Sequence, residues 1–107
     1  MVDGPRDLEA ADGPVTTGVV ASFVGARLSG DAEVALTGVT HDSRRVRSGD
    51  LFCCVVGASH DGHEFAADAL GQGASALLVE RLLETDVPQL VVQDVRSAMA
   101  PAAAMVF

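Results

Sequence analysis

The chain has 107 residues, a formal net charge of −8 and an apolar content of 49%. This length suits one domain with its own buried core, and the composition is typical of globular proteins. So acidic a chain lacks the basic face on which sequence-independent nucleic-acid binding and attraction to anionic membranes depend. No apolar run reaches the ~20 residues that span a bilayer, and the first residues do not resemble a secretory signal. We therefore expect a cytoplasmic protein that binds neither nucleic acid nor membrane.

Residues 1–14 combine acidic residues, proline and glycine without an apolar period, which predicts a flexible leader before one domain over residues 15–107. Thr16 or Thr17 is expected to cap a first helix, and Gly25 is expected to end it. The apolar residues of this helix have the spacing of one buried face, formed by Val19, Val20, Phe23 and Val24.

Four segments with strand character follow, at residues 34–39, 50–56, 75–80 and 89–94. The second is almost continuously apolar, as expected for a strand buried on both faces of a sheet. The alternation of strands and helices predicts an α/β fold, a single small layered domain with a mixed, largely parallel sheet flanked by helices.

Two further helices are expected among these strands. Asp61, with Glu64 three residues later, resembles a capping box and predicts a helix that ends near Gly71. The apolar face of that helix is expected to contain Phe65, Ala66, Ala69 and Leu70. Asp94 is expected to cap a last helix, whose apolar residues Val95, Met99, Ala102, Ala103 and Val106 recur at helical spacing.

A metal site and a redox site are both disfavoured. His60 and His63 flank a predicted helix start and do not share one face at a ligand spacing, so polar loop ends are the simpler interpretation. Cys53 and Cys54 are adjacent, and adjacent side chains of a strand point to opposite faces. That geometry suits neither a disulfide nor a C-x-x-C pair, and two buried thiols are expected instead.

The segment GQGASA at residues 71–76 fits the pattern G-x-G-x-x-A, but it follows a helix and precedes a strand. A dinucleotide-binding fingerprint needs the opposite order, so these glycines are expected to end a helix and form a turn. Lysine is absent from the sequence, which excludes a P-loop lysine and a Schiff-base lysine. Ser43 and Ser59 each lie near a histidine in sequence, which by itself does not predict a catalytic triad.

An anion-binding pair of loops is the remaining candidate. Residues 42–49 (DSRRVRSG) follow the first predicted strand, and residues 57–64 (GASHDGHE) follow the second. Loops after neighbouring strands meet at one edge of an α/β sheet, where ligands commonly bind. Hydroxyls, free backbone N–H groups and nearby guanidinium groups suit phosphate oxygens. Residue chemistry alone leaves the alternative, solvated charged turns, equally open.

These loops also carry the pattern of a known family. The segment from Thr40 to Glu80 resembles the N-terminal domain of the Mur ligases, whose pattern is roughly DSR, V-x-x-G-D-L-F, G, D-G-x-x-F, A and G-A-x-A. Every position of that pattern is present, at Asp42, Ser43, Arg44, Val46, Gly49, Asp50, Leu51, Phe52, Gly57, Asp61, Gly62, Phe65, Ala69, Gly73, Ala74 and Ala76. The resemblance covers residues 17–107 and leaves the leader unmatched.

The resemblance implies a domain that binds the uridine diphosphate (UDP) end of a UDP-N-acetylmuramoyl-peptide. Carried over by position, the contacts fall on His41, Ser43, Ala58, Ser59 and His60. Ser43 lies inside the DSR motif, whereas the other positions vary within the family pattern. Arg44 is left with two roles, a phosphate contact or a buttress of its loop through a carboxylate. The implied partners are the peptide substrate and a central ATP-binding domain of the same protein, with ATP and Mg²⁺ as its cofactors.

The resemblance further implies a ligase of peptidoglycan and cell-wall biosynthesis, and thereby a link to cell shape and division. QDVRSAMAPAAAMVF at the end of the chain resembles the ligase that adds the third residue, diaminopimelate or lysine, to UDP-N-acetylmuramoyl-L-alanyl-D-glutamate. DGHEF also matches the branch that adds the terminal D-alanyl-D-alanine, but the end of the chain favours the third-residue ligase. Because no P-loop is present, this chain is expected to bind and not to catalyse alone. A free-standing anion-binding module is the alternative.

Overall fold

The structure, a computed structural model, describes residues 14–107, and the predicted leader lies, apart from Pro14, outside the described residues. The strands are β1 Arg27–Ser29, β2 Gly38–Thr40, β3 Asp50–Cys53, β4 Ala76–Val79 and β5 Gln89–Val91. The α-helices are α1 Thr17–Val24, α2 Ala66–Gly71 and α3 Val95–Val106, and two short 3₁₀ helices span Ser43–Arg45 and Gly62–Phe65. The predicted α/β fold is confirmed.

The strands form one mixed sheet in the order β1-β5-β4-β3-β2. β2, β3, β4 and β5 are mutually parallel, while β1 pairs with β5 in the antiparallel sense. Parallel strands end at the same edge of a sheet, so the segments that follow β2, β3 and β4 leave the sheet side by side.

Two apolar layers cover the faces of the sheet. α1 and α3 pack against one face in a cluster that includes Leu51 and Cys53, and α2 packs against the other in a cluster that includes Phe52 and Cys54. Both cysteines are free and buried, and burial raises the pKa of each thiol to about 12. The expected pair of buried thiols on opposite faces is confirmed, and both stay protonated and unreactive at neutral pH.

The caps of α1 are confirmed, but its expected apolar face is wrong in part. The Thr16 hydroxyl accepts the N–H of Val19 at 3.3 Å, and Gly25 ends the helix with φ of 72°. Val19 and Phe23 are 45% and 55% exposed. The buried stripe instead runs through Thr17, Val20, Ala21 and Val24. Thr17 joins the stripe because its hydroxyl donates to the Asp31 carbonyl at 2.6 Å, so its polar atom is satisfied in the interior.

The strands are shorter than their apolar segments. Leu36 is buried but lies outside β2, and its N–H donates to the Val15 carbonyl at 2.8 Å. The segment 50–56 leaves the sheet after Cys53, where the N–H of Val55 donates to the Cys53 carbonyl at 3.0 Å and turns the chain. β1 was not predicted, since three residues with an exposed arginine carry no readable alternation.

The remaining caps and turns follow the predictions closely. The Asp94 carboxylate accepts the N–H of Arg96 at 3.1 Å and starts α3. Asp61 is a cap as expected, but it starts a 3₁₀ helix that only then continues into α2, and it accepts the N–H of His63 at 2.9 Å. Gly73 has φ of 106° between α2 and β4, in keeping with the turn expected of GQGASA. In the described part of the chain, no helix is long and apolar enough to cross a membrane.

Gly62 offers a test of the packing at the start of this 3₁₀ helix. An added Cβ would lie 2.6 Å from the Val55 nitrogen and 2.8 Å from the Cys54 carbonyl carbon, both of which are backbone atoms. Backbone yields less than a flexible side chain, so we expect Gly62→Ala to lower the free energy of unfolding by about 1–3 kcal/mol. Urea denaturation measures this. Gly71→Ala is the control because nothing lies within 4 Å of its added Cβ. An equal loss in both variants would contradict the steric explanation.

Candidate functional site

An open cleft of about 690 Å³ lies beside the segments that follow β2 and β3. Its lining residues come from the loop after β2, the turn after β3 and the start of α2, and they are His41, Asp42, Ser43, Arg44, His60, Phe65 and Asp68. The cleft therefore sits at the carboxyl edge of the parallel strands, where the sequence placed the loop pair.

The five residues predicted to contact UDP separate into two groups. His41, Ser43 and His60 line the cleft together although they come from two loops. Ala58 and Ser59 are exposed and stand outside its lining. They belong to the turn of residues 57–60, which is closed by the Gly57 N–H donating to the His60 carbonyl at 2.8 Å. The two loops thus face one cleft, the first through His41 and Ser43 and the second through His60.

Asp42 organises the first loop. Its Oδ1 accepts the backbone N–H of Arg44 at 3.0 Å and the Arg44 Nε at 3.1 Å, and its Oδ2 accepts Arg44 Nη2 at 3.1 Å. Of the two roles left open for Arg44, the buttress is therefore the observed one. The guanidinium hydrogen bonds hold the pKa of Asp42 at about 2 and raise the pKa of Arg44. The Arg44 side chain remains 87% exposed and reaches the cleft.

The neighbouring arginines do not form one basic patch. Arg44 lines the main cleft, whereas Arg45 and Arg47 line a separate cavity of about 400 Å³ with Ser48 and Phe107. Arg44 and Arg45 belong to the 3₁₀ helix and approach Asp42 at 3.1 and 3.7 Å, whereas Arg47 follows the helix. We expected several guanidinium groups near the loop pair. Of these three arginines, only Arg44 lines the main cleft.

Two lining residues were missed as site residues. Phe65 was placed on the buried face of a helix, but it ends the 3₁₀ helix, is 37% exposed, and its ring centroid lies 6.2 Å from that of His60. The rings give one wall of the cleft an apolar character. Asp68 lies one helical turn later on the same side, and no feature of the sequence distinguishes it from other surface carboxylates.

His63 is not the solvated loop end that the sequence indicated. Its side chain is fully buried, and its Nδ1 lies 2.7 Å from Asp61 Oδ1. Hydrogen bonds from the His63 backbone and ring, together with Arg81 at 3.1 Å, hold the pKa of Asp61 at about 2.

Among residues 14–107, no group of three or more His, Cys, Asp or Glu side chains is arranged to hold a metal ion.

Asp42 and its two arginines permit a direct electrostatic test. Arg44→Gln removes the hydrogen bonds that contribute most to the low pKa of Asp42, so this pKa is expected to rise from about 2 toward the ordinary value of 3.8. Arg45→Gln removes only a 3.7 Å contact and is expected to leave it near its present value. The carboxyl-carbon chemical shift of Asp42, followed by NMR against pH, measures both. If the pKa of Asp42 rises equally in both variants, the positive charge of the arginines lowers it in a general way, and the specific hydrogen bonds from Arg44 do not.

Comparison with known proteins adds a family match. The family model described as "Mur ligase family, catalytic domain" matches residues 35–106. The chain is 54% identical over 59 residues to the UDP-N-acetylmuramoyl-L-alanyl-D-glutamate--2,6-diaminopimelate ligase of Geobacillus kaustophilus, an alignment that covers 55% of the chain and 12% of that protein.

Two other relatives carry the name of the dipeptide-adding branch. The UDP-N-acetylmuramoyl-tripeptide--D-alanyl-D-alanine ligase of Escherichia coli is 41% identical over 92 residues, covering 86% of the chain and 20% of that protein. The solved UDP-N-acetylmuramoylalanyl-D-glutamyl-2,6-diaminopimelate--D-alanyl-D-alanyl ligase of Acinetobacter baumannii superposes with a TM-score of 0.75 at 28% identity. That superposition covers 82% of the chain and 20% of the solved one. The chain therefore spans a fifth or less of the length of these relatives.

Proposed function

Because this chain belongs to the Mur ligase family, we propose that it is the N-terminal, substrate-recognition domain of a cytoplasmic peptidoglycan-precursor ligase. In this proposal residues 15–107 form the domain and bind the UDP end of a UDP-N-acetylmuramoyl-peptide, the kind of compound that the names of its relatives contain. The observation that carries the proposal is the cleft in which Ser43 and His60, from two loops, face one space.

Ser43 is the strongest candidate for a diphosphate contact. A hydrogen bond to a charged group contributes about 1.5–3 kcal/mol, whereas an exposed ion pair contributes about 0–1 kcal/mol. Arg44 is 87% exposed and already bound to Asp42, so its charge is largely compensated before a ligand arrives. A hydrogen bond from the Ser43 hydroxyl is therefore expected to contribute more than the guanidinium. The exposed turn at residues 57–60, which holds Ala58 and Ser59, adds backbone N–H groups to the same role.

The aromatic wall of the cleft suits the base. Phe65 and His60 present ring surface next to the polar loops, and nucleobases stack on aromatic side chains for about 1–3 kcal/mol each. Polar groups at one side and rings at the other match a nucleotide, which has a charged end and a flat apolar face. A ligand with only the charged end, such as inorganic phosphate, would leave this wall unused.

In our proposal, the ATP-dependent reaction takes place in other domains of the complete protein. Mur ligases are ATP-dependent, and with no lysine this chain lacks the P-loop lysine that grips the β- and γ-phosphates. We infer that a central domain outside residues 15–107 binds ATP and Mg²⁺ and activates the peptide carboxylate. The domain described here then holds the nucleotide end of the substrate and so fixes where that carboxylate lies.

Two branches of the family remain candidates, each with its own observation. The third-residue ligase, which adds diaminopimelate or lysine, is our first choice because of the 54% identity to the diaminopimelate ligase and the segment QDVRSAMA. The ligase that adds the terminal D-alanyl-D-alanine is the second, because its E. coli member aligns over 86% of the chain and its solved member superposes well.

The branches differ in the substrate that the complete protein consumes. We expect it to release phosphate from ATP when given UDP-N-acetylmuramoyl-L-alanyl-D-glutamate with diaminopimelate or lysine. Turnover instead with UDP-N-acetylmuramoyl-tripeptide and D-alanyl-D-alanine would establish the second candidate. A protein inactive with both pairs would contradict the ligase proposal, and a phosphate-release assay distinguishes the three results.

Ser43 tests the binding site in the 107-residue chain itself. Loss of a hydroxyl that donates to a charged oxygen is expected to weaken UDP binding about tenfold to a hundredfold in Ser43→Ala. NMR titration with UDP measures the affinity even when it is millimolar. Ser48→Ala is the matched control, since Ser48 is an exposed serine of the same loop that lines the other cavity. Wild-type affinity in Ser43→Ala, or an equal loss in Ser48→Ala, would show that the site is assigned wrongly.

A further inference from the structure

His63 stands just behind the turn of residues 57–60, out of contact with solvent. Its side chain is fully buried, and both ring nitrogens are engaged. Nε2 lies 2.9 Å from the backbone nitrogen of Glu80, and Nδ1 lies 2.7 Å from Asp61 Oδ1. A backbone N–H can only donate, so Nε2 is the acceptor and carries no proton. The ring is therefore neutral with its proton on Nδ1, which donates to Asp61.

Asp61 connects this ring to the turn. It forms a β-bridge with Val56 across the turn, and the adjoining Gly62 N–H donates to the Val55 carbonyl at 2.8 Å. The Asp61 carboxylate accepts the backbone N–H of His63 at 2.9 Å and pairs with Arg81 at 3.1 Å. The two ends of the turn are thus closed by backbone bonds, and the Asp61 carboxylate adds side-chain contacts from the turn to His63 and Arg81.

Glu80 supplies the fixed side of the arrangement. It directly follows β4, and its carboxylate accepts the backbone N–H of Val95, the first residue of α3, at 2.9 Å. All four residues of β4 and Val95 are buried. Exposed turns are generally more mobile than buried strands. The His63 ring therefore links an element of the more mobile kind to one of the more rigid kind.

We propose that His63 is a positioning residue for the ligand. It fastens the turn of residues 57–60 to β4 through Asp61 and the Glu80 backbone, and so holds His60 at the cleft. A simple helix cap needs only a carboxylate and a backbone N–H, which Asp61 already provides. A buried ring with a donor on one side and an acceptor on the other adds a link across two elements. The effect on ligand binding rests on the proposed UDP function.

Three substitutions at His63 separate the two halves of this link. In His63→Asn the amide matches Nδ1 and keeps a donor for Asp61, while in His63→Gln it matches Nε2 and keeps an acceptor for Glu80. His63→Ala removes both. Val20→Ala is the control for general destabilisation, because Val20 is fully buried against the opposite face of the sheet.

Amide hydrogen exchange of the ligand-free chain is the first measurement. Gly57 N–H, which closes the turn, is expected to exchange about tenfold faster in all three His63 variants, because each breaks the link between the turn and β4 at one end or both, but not in Val20→Ala. Glu80 N–H is expected to lose protection in His63→Ala and His63→Asn but not in His63→Gln. A Gly57 amide that exchanges at the wild-type rate in His63→Asn or in His63→Gln, or that responds equally to Val20→Ala, overturns the proposal. If His63→Ala does not fold, the Asn and Gln variants still separate these outcomes.

UDP titration of the same variants is the second measurement. The affinity is expected to fall about tenfold in the His63 variants in which Gly57 loses protection and to stay at the wild-type level in Val20→Ala. Faster exchange at Gly57 with unchanged UDP affinity overturns the role in ligand positioning. If wild type itself does not bind UDP, the proposed function fails, and the exchange pattern alone then decides whether His63 positions the turn.

Discussion

The parallel pairing of β2, β3 and β4 is the constraint on which the site depends. Thr40 pairs with Phe52, and Cys53 pairs with Leu78, so the three strands end in line at one edge. A shift of β3 by one residue would move Phe52 into the layer that holds Leu51 and Cys53, so the close packing of side chains of different volume in the two layers favours this register. Three segments distant in sequence therefore meet at the cleft and just behind it.

The same arrangement, an aspartate that caps a 3₁₀ helix and pairs with an arginine, occurs in both loops at this edge. Asp42 and Asp61 each precede a 3₁₀ helix with φ of −109°, and each accepts the backbone N–H two residues later. Each carboxylate also pairs with an arginine at 3.1 Å, and each has a pKa of about 2. The repeated Asx turn gives the two polar loops defined shapes without apolar burial. Because both pKa values are lowered in the folded chain, the stability that the two carboxylate charges provide is present above about pH 4 and is lost as the pH falls through about 2.

The sequence predicted what local chemistry decides. Caps and stops at Thr16, Gly25 and Asp94 were readable because each depends on one side chain and its own backbone. The buried stripe of α1 was not, since Thr17 replaces Val19 only through a bond to the Asp31 carbonyl, a tertiary contact. His63 was misread for the same reason, because its acceptor role depends on Glu80, 17 residues further along.

If the proposed site binds a diphosphate, a chain of net charge −8 would do so without a basic patch. Asp42, the acidic residue nearest Ser43 in the loop, has its charge compensated by Arg44 and by a backbone N–H, and Arg45 lies 3.7 Å away. Compensated ion pairs attract a further anion only weakly in water. The affinity for a diphosphate would therefore come mainly from short hydrogen bonds donated by a hydroxyl and by backbone N–H groups. Such bonds depend steeply on geometry. The affinity of such a site therefore depends on where its loops lie. The two Asx turns fix the shapes of these loops, and in our proposal the buried His63 ring fixes the position of the second one.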